Sequence, residues 1–333
     1  MSMINKGFLS IGLLLWVLSG LSACTSAKVM PGKQAREPQL IQSPVFQASD
    51  GTDLYARAWL PKKQPKAVIL LLHGFNEYSG AFDEVGQSLA QKGIAVWAYD
   101  QRGFGHSAYR GLWSSAEQMA QDAAEMAKLL MQQYPQQSVY LLGTSMGGAV
   151  ALLAANKLAE AEAISNSLPS NTTQAPVAGV ILSAPAVWTS ATQPFYQRWA
   201  LEIALKFVPG WAPTGESLGI RPTDNVALQR KIWSDPWMIR EGSRMDTVAG
   251  LVDLMNKAFA AADQLKVPVL LLYGDKDELT PPEPIDRLWE RLPKTQSATQ
   301  QKRYSQGWHM LMRDLQGETV LQDIAAWVLS IRG

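Results

Sequence analysis

The sequence predicts an α/β fold, with a mostly parallel central sheet, helices on both faces and a helical segment inserted into it. Short apolar runs alternate along the chain with longer stretches that carry apolar residues at helical spacing. This alternation is typical of parallel strands joined by crossover helices. One long insertion of helical character, at 188–255, interrupts it. About 290 residues follow the N-terminal segments, a length that one α/β domain with an insertion fills with a single core.

Each element can be placed by its pattern. Buried strands are predicted at 68–72, 95–99, 139–142, 180–182 and 269–272. Helical spacing of apolar residues is found at 81–91, 115–133, 146–158, 281–291 and 318–331. A leading hairpin is predicted from 46–48 and 54–59, because Asp50-Gly51 between them is a turn signal. The stretch 159–176, rich in Ala, Glu, Ser, Asn and Thr, is predicted to be a solvated loop.

The N-terminus has the features of an export signal. Lys6 supplies a short basic region, and residues 8–18 form an apolar run too short to span a bilayer comfortably. Residues 21–24, Leu-Ser-Ala-Cys, resemble the cleavage site of a bacterial lipoprotein, in which the cysteine receives a diacylglyceryl group and becomes the new N-terminus. Cys24 is the only cysteine in the sequence, so it has no partner for an internal disulfide. A soluble secreted protein and an uncleaved anchor remain the alternatives.

Residues 24–44 are rich in Pro, Gln, Lys and Ser, and they are predicted to form a flexible tether. In Gram-negative lipoproteins, which this segment resembles, Thr25 rather than Asp after the cysteine favours the outer membrane. The resemblance therefore implies a lipid-anchored protein of the bacterial cell envelope. Residues 1–23 hold one charge, Lys6, so the remaining chain has 30 − 1 = 29 basic residues against 29 acidic ones. This balance gives no electrostatic attraction to nucleic acid.

The sharpest chemical signal is the stretch 143–148, Gly-Thr-Ser-Met-Gly-Gly, which lies between a predicted strand and a helix of small residues. A serine in such a turn is strained, and glycines flank it because side chains there would collide with the strand and helix. The start of the helix directs free N–H groups and partial positive charge at a developing oxyanion. Ser145 is therefore predicted to be a nucleophile, and an ordinary glycine-rich turn is the alternative. This arrangement resembles the nucleophile turn of α/β-hydrolases.

A serine hydroxyl is a poor nucleophile until a base removes its proton, and histidine titrates in the useful range. His73 and His106 precede Ser145, whereas His309 follows every predicted core strand. The order in α/β-hydrolases is serine, acid, histidine. The resemblance therefore implies His309 as the base, and a loop histidine bonded to backbone is the alternative.

An acid that orients the histidine is expected just past a strand. Asp275, Asp277 and Glu278 compete for this role after the run 269–274. The pattern G-x-x-D-x-hydrophobic-Thr resembles the acid loop of α/β-hydrolases and selects Asp277, with Asp275 as the alternative. The same fold implies an oxyanion hole built from the backbone N–H groups of Phe75 and Met146.

Together these motifs resemble the monoacylglycerol lipase and lysophospholipase branch of the α/β-hydrolases, the serine aminopeptidase S33-type hydrolases. The resemblance runs from about residue 46 to the C-terminus. It implies a carboxylic ester hydrolase that transfers the acyl group of a small amphiphilic monoacyl lipid to Ser145, without metal or organic cofactor. The implied organisation is a signal peptide at 1–23, a tether at 24–44, a hydrolase core at 45–185 and 261–333, and a helical cap at 186–260.

Several alternatives stay open. Ala81 stands where many relatives carry Arg beside the glycerol end of the pocket. Within the same fold, a short-chain carboxylesterase or a serine aminopeptidase is possible. The alternative that is not an enzyme is a non-catalytic envelope lipoprotein that uses the fold as a binding module. The aromatic residues of the cap are expected either to line an acyl tunnel or to form the cap's own core: Trp188, Phe195, Tyr196, Trp199, Phe207, Trp211, Trp233 and Trp237.

Overall fold

A computed structural model describes residues 26–41, 45–166, 177–215, 219–294 and 298–331. The strands are β1 (Gln39–Ile41), β2 (Val45–Gln47), β3 (Asp53–Trp59), β4 (Ala67–Leu72), β5 (Ile94–Tyr99), β6 (Val139–Thr144), β7 (Gly179–Ser183), β8 (Val269–Gly274) and β9 (Gln300–Tyr304). Within the described residues they form one sheet in the order β1-β2-β3-β5-β4-β6-β7-β8-β9. The pairs β1–β2, β2–β3 and β3–β5 are antiparallel, and the remaining pairs are parallel. The predicted sheet is confirmed.

The helices are α1 (Asp83–Gln91), α2 (Ala116–Gln133), α3 (Met146–Asn166), α4 (Phe195–Phe207), α5 (Val226–Ser234), α6 (Met245–Ala260), α7 (Pro282–Arg291) and α8 (Gly317–Ser330). Helices α2, α3, α6 and α7 contribute to the core on one face of the sheet, and α1 and α8 to the core on the other. In β4, Val68 and Leu70 join the first core while Ile69 and Leu71 join the second. Because successive strand residues point to opposite faces, a strand covered on both sides must be apolar throughout.

The leading hairpin is also confirmed. Strands β2 and β3 pair antiparallel, with Phe46 opposite Leu54. Gly51 in the turn between them has φ of 80°, a conformation that glycine adopts without the steric cost of a Cβ. The hairpin then continues into the main sheet through the antiparallel pairing of β3 with β5.

The predicted tether is not wholly a flexible linker. Residues 39–41 form β1, which pairs antiparallel with β2, and Leu40 packs against the core. Further upstream, the Val29 N–H donates to the Trp113 carbonyl at 2.9 Å. Composition does not reveal this order, because an edge strand gains its hydrogen bonds from a neighbouring strand rather than from its own side chains. Cys24, residues 1–23 and residues 42–44 lie outside the described residues.

The loop expected at 159–176 begins later than predicted. Helix α3 continues through Asn166, eight residues beyond the predicted end at 158. The extra segment is rich in Ala and Glu, which are among the best helix formers, so local propensity outweighs its polar appearance. The rest of the expected loop, 167–176, lies outside the described residues.

The insertion between β7 and β8 consists, where it is described, of helices α4, α5 and α6 without a strand. Helix α6 packs on α2 and α3, and α4 packs on α6, so the insertion sits above one face of the sheet. In the ranges that the structure describes, no helix combines the length and apolar character required to cross a bilayer.

Candidate active site

Ser145 occupies a strained turn between β6 and α3. Its φ is +50°, in the left-handed region that side chains disfavour. A Cβ on Gly143 would lie 2.1 Å from the Gly147 carbonyl oxygen, and a Cβ on Gly147 would lie 2.1 Å from the Leu72 carbonyl oxygen. Both glycines are therefore required for steric reasons, as the sequence predicted. The turn holds the serine at the carboxyl edge of the parallel strands.

The loop after β4 lies directly against this turn. A Cβ on Gly74 would lie 3.4 Å from the Cβ of Ser145. The Gly74 N–H donates to the Glu77 carboxylate at 3.0 Å, which fixes the path of the loop. The Phe75 ring packs edge-on against that of Phe104, 5.7 Å away between centroids. Phe75 thus lines the same cavity as Ser145, and Met146 directly follows Ser145 in the chain, but their role as oxyanion donors stays a prediction.

His309 and Asp277 form a hydrogen-bonded pair. The Nδ1 of His309 and the Asp277 carboxylate are 2.8 Å apart, and the aspartate side chain is fully buried. Its other oxygen accepts the backbone N–H groups of Leu279 at 2.8 Å and Thr280 at 2.9 Å. With the carboxylate accepting at Nδ1, the Nε2 of His309 is left to accept a proton. This is the geometry that a histidine base requires.

The competing acids have other partners. The Asp275 carboxylate accepts a hydrogen bond from Arg303 at 2.8 Å, on the exposed side of the loop. The Glu278 carboxylate accepts the backbone N–H of Arg221 at 2.7 Å. The structure thus places Asp277, rather than either neighbour, on His309.

The other histidines are held away from the serine. Both nitrogens of His73 are used, since Nδ1 contacts the Gly74 carbonyl at 2.8 Å and Nε2 accepts the Gln101 N–H at 2.9 Å. Complete burial lowers the pKa of His73, so it stays neutral. His106 is stacked on Trp237 with ring centroids 3.5 Å apart, and its Nδ1 lies 2.8 Å from the Asp100 carboxylate. Both side chains have structural roles.

Ser145 and His309 line the same cavity, which has a volume of about 490 Å³. His309 is only 7% exposed, so its imidazole is largely shielded from water. Most of the wall is apolar and comes from the cap and its connections: Ala186, Trp188, Ile220, Pro222, Met238, Leu251 and Met255. Such a cavity suits an apolar ligand oriented by a few polar groups.

Part of the cavity lining is a buried ion pair, here called the polar end, and sequence reasoning missed half of it. Arg313 forms an ion pair with Glu77, and both side chains are buried. Its guanidinium lies 4.3 Å from the centroid of the Phe82 ring and 3.4 Å from the Ala81 carbonyl oxygen. Ala81 is the position where many members of the family that the sequence resembles carry an arginine. In this chain, Arg313 from another element contacts the Ala81 backbone. No local motif signals the contact between Arg313 and Glu77, which are 236 positions apart.

The cap aromatics follow neither expected pattern as a group. Trp188 lines the cavity with Ser145, and Trp233 lines a neighbouring cavity of about 480 Å³. Most of the others are exposed to solvent and belong neither to a tunnel nor to a cap core: Phe195, Tyr196, Trp199, Phe207 and Trp211. Helical spacing places aromatic residues on one face of a helix, but it does not indicate whether that face contacts a cavity, the cap core or solvent.

Comparison with known proteins defines the family. Residues 63–316 match the family described as serine aminopeptidase, S33. The chain belongs to this hydrolase family. Human monoglyceride lipase is 31% identical over 88% of this chain and 93% of its own length. The monoacylglycerol lipase of Mycolicibacterium smegmatis is 25% identical over 86% of this chain and 96% of its own length.

A soluble variant of monoglyceride lipase from Saccharomyces cerevisiae has the same fold, with a TM-score of 0.69 at 17% identity. The match covers 93% of this chain and 98% of that one. The predicted α/β-hydrolase fold is thus confirmed, and so is the predicted enzyme class, a carboxylic ester hydrolase.

Proposed function

We propose that this protein hydrolyses the ester bond of monoacyl lipids, monoacylglycerols first, through an acyl-enzyme on Ser145. Two relatives that align over most of their length are named as lipases of this substrate class. The observation that carries the proposal is the asymmetric cavity, in which Ser145 and His309 lie with an apolar wall and one polar end. An acyl chain fits the apolar wall, while the hydroxyls of a glycerol group fit the polar end.

In the first half of the reaction, the Nε2 of His309 accepts the proton of the Ser145 hydroxyl as its oxygen attacks the ester carbonyl carbon. The carbonyl oxygen becomes an oxyanion that accepts hydrogen bonds from the N–H groups of Phe75 and Met146. Collapse of this intermediate breaks the bond to the alcohol oxygen, which takes the proton from His309. Asp277 stabilises the imidazolium and keeps the ring oriented.

In the second half, a water molecule gives a proton to His309 and its oxygen attacks the acyl-enzyme carbonyl. The second oxyanion uses the same two N–H groups. When it collapses, the bond between the acyl carbon and the serine oxygen breaks, and His309 returns the proton to Ser145. A fatty acid and free enzyme result, without a cofactor.

The polar end favours a substrate with hydroxyl groups over a substrate with an ammonium group. Glu77 is the carboxylate among the described residues that line the cavity, and Arg313 neutralises it. An aminopeptidase must hold the substrate's ammonium group, which calls for an unpaired acid. The pair instead offers hydrogen-bond donors and acceptors without net charge, which suits glycerol hydroxyls.

Labelling with a fluorophosphonate probe tests the nucleophile. The full chain should react, and Ser145→Ala should abolish labelling and lower turnover by roughly 10⁶-fold if the three residues act as a unit. Ser190→Ala, a serine of the cap that bonds to Asn256, is the matched control and should retain labelling. No labelling of the full chain, or lipid binding without any turnover, would favour the envelope binding module. Persistent labelling of Ser145→Ala would mean that another residue is the nucleophile.

A series of monoesters tests the substrate class. Long-chain monoacylglycerols and lysophospholipids should be cleaved faster than acetyl esters, because each buried CH₂ contributes about 0.8 kcal/mol. A preference for acetyl over every longer chain would identify a short-chain carboxylesterase. Faster cleavage of an aminoacyl amide than of any ester would identify an aminopeptidase.

We further propose that the protein is lipidated on Cys24 and held in the bacterial cell envelope, at the outer membrane. The support is the leader at 1–23, with its basic residue, apolar run and Leu-Ser-Ala-Cys site. Mass spectrometry of the N-terminal peptide from the membrane fraction should show a diacylglyceryl cysteine. An unmodified Cys24, or a chain that still begins at Met1, would contradict this.

A further inference from the structure

The loop after β4 contains a tight turn with a free N–H group at its corner. The Glu77 N–H donates to the Gly74 carbonyl at 3.3 Å, so Phe75 and Asn76 occupy the two central positions of a β-turn. Asn76 has a φ of +63°, and a positive φ at this position is what a type II turn requires. The Phe75 N–H donates to no acceptor among the residues that the structure describes. It is therefore available to a ligand in the cavity that Phe75 and Ser145 line.

The core holds this turn on one side, through the peptide unit that joins Gly74 to Phe75. The Nε2 of His73 accepts the Gln101 N–H at 2.9 Å, so the proton of the neutral ring is on Nδ1. Nδ1 thus donates to the Gly74 carbonyl, at 2.8 Å. In a planar trans peptide, the carbonyl and the following N–H point in opposite directions. The bond from His73 therefore directs the Phe75 N–H away from His73.

The cap holds the same turn on the other side, at Asn76. The Asn76 carbonyl accepts the Ile239 N–H at 3.0 Å, and its side-chain Nδ2 donates to the Ser243 hydroxyl at 2.8 Å. Both partners belong to the part of the cap that connects α5 to α6. Phe75 thus lies between a residue that is bonded to the core and a residue that is bonded to the cap.

This connection between α5 and α6 is itself attached to the core. The Arg110 guanidinium donates to the Met238 carbonyl at 2.8 Å. The Tyr78 hydroxyl donates to the Asp235 carboxylate, also at 2.8 Å. Because the connection is held at several points, its hydrogen bonds to the turn can restrain the turn.

A glycine at position 76 would supply the backbone conformation alone. Glycine adopts a positive φ without steric cost, and asparagine is among the other residues that adopt it most readily. The asparagine side chain adds the bond to the cap. Asn76 lines both the catalytic cavity and its neighbour, and Ile239 and Ser243 line the neighbour. The bond is therefore made where the two cavities share wall residues.

We propose that Asn76 is a positioning residue for the oxyanion hole. Its side-chain hydrogen bond to Ser243 ties the turn to the cap, so that the Phe75 N–H points at the carbonyl oxygen of a substrate on Ser145. This role rests on the proposed function, in which Phe75 and Met146 donate to the oxyanion. Donors that are fixed before the reaction stabilise a developing charge without reorganisation. The bond should therefore matter in the transition state and little in the bound ground state.

A double-mutant cycle on this hydrogen bond tests the role. Asn76→Gly keeps a positive φ accessible and removes the amide, whereas Ser243→Ala removes the partner and leaves the turn intact. We expect kcat for a soluble ester to fall by about 10-fold in either variant, with KM within about twofold, because loss of a whole oxyanion donor costs roughly 10²–10³-fold. The double variant should fall no further, since both changes remove the same bond. Ser190→Ala, which breaks another serine–asparagine bond of the cap, is the matched control and should retain the wild-type kcat.

Two inhibitors separate positioning from a general structural role. With an alkyl trifluoromethyl ketone, the Ser145 oxygen bonds to the carbonyl carbon, its proton passes to His309 and the carbonyl oxygen becomes an oxyanion. A monoalkylglycerol ether occupies the cavity without reacting. In Asn76→Gly and Ser243→Ala, the Ki of the ketone should rise by about 10-fold while the Kd of the ether stays within about twofold. Titration with a fluorophosphonate gives kcat per competent site, so a loss of folded enzyme does not affect the comparison.

A wild-type kcat in Ser243→Ala would overturn the proposal, and so would losses that multiply in the double variant. An equal rise for the ketone and the ether would identify a structural role instead, as would an equal loss of kcat in Ser190→Ala. Absence of turnover by the wild type would contradict the proposed function, and this role with it. Turnover by the wild type that both single variants retain would contradict the role of Asn76 alone.

Discussion

The turn at Ser145 and the outer side of helix α4 are built under opposite constraints. At the turn, a Cβ on Gly143 or Gly147 would lie 2.1 Å from a backbone oxygen, and Ser145 has a φ of +50°. On the outer side of α4, side chains such as Trp199 contact solvent over most of their surface. The first region is determined by packing within the chain, whereas the second is not. Substitutions should therefore affect chemistry in the first region and leave the fold and the chemistry largely unchanged in the second.

After the loss of Ser145 itself, the largest effect is expected at the acid. Asp277→Asn removes the charge that stabilises the imidazolium and permits the wrong tautomer of His309, so kcat should fall by about 10⁴-fold. Steady-state hydrolysis of a soluble ester measures this. Asp275→Asn is the matched control two residues away, and it should change kcat little because its partner is Arg303. Similar losses in the two variants would break the assignment of the acid.

A smaller effect is expected at the polar end of the cavity. The double variant Glu77→Gln with Arg313→Met removes the pair without leaving a lone buried charge. We expect kcat/KM for a glycerol ester to fall by about 10-fold relative to the methyl ester of the same acid, because hydrogen bonds to charged groups contribute about 1.5–3 kcal/mol. Measuring the ratio cancels any general loss of folded enzyme. An unchanged ratio would mean that the pair has no contact with the alcohol group.

A modest, pH-dependent effect is expected in the core. Burial acts to raise the pKa of Asp50, but hydrogen bonds from Arg102, Gly32 and Thr52 hold it well below its ordinary value of 3.8. A lowered carboxyl pKa contributes stability that is fully present above 3.8 and is lost as the pH falls toward the folded-state pKa. The difference in unfolding free energy between the wild type and Asp50→Asn should thus be constant near neutrality and shrink below about pH 4. A difference that grows on acidification would contradict this.

The smallest effect is expected for stability on the outer side of helix α4. Trp199→Gln should change the free energy of unfolding by no more than about 0.5 kcal/mol, since an exposed side chain loses few contacts. Leu254→Ala, in the fully buried part of the neighbouring helix α6, should cost about 2–5 kcal/mol. Denaturant titration of both variants measures the contrast. A cost at Trp199 equal to that at Leu254 would mean that the outer side of α4 packs within the chain.

The difference between the regions also explains what the sequence predicted. The strands and the Ser145 turn follow from local rules, because a strand buried on both faces must be apolar and a strained turn must have glycine. His309 and Asp277 were selected by resemblance, through the serine–acid–histidine order and the acid-loop pattern of α/β-hydrolases. The structure agrees in placing Asp277, and not Asp275, on His309. Arg313 beside Glu77, the strand at 39–41 and the outward direction of Trp199 depend on contacts between distant segments, which no local pattern encodes.

The central claim is that Ser145, His309 and the N–H groups of Phe75 and Met146 act on one carbonyl. A crystal structure of the enzyme after reaction with an alkyl phosphonate tests it most directly, because the adduct mimics the tetrahedral intermediate. We predict phosphorus bonded to Ser145, with one phosphonyl oxygen about 2.7–3.1 Å from both backbone nitrogens and the alkyl chain along the apolar wall. An adduct on another residue, or a phosphonyl oxygen turned away from both N–H groups, would contradict the account.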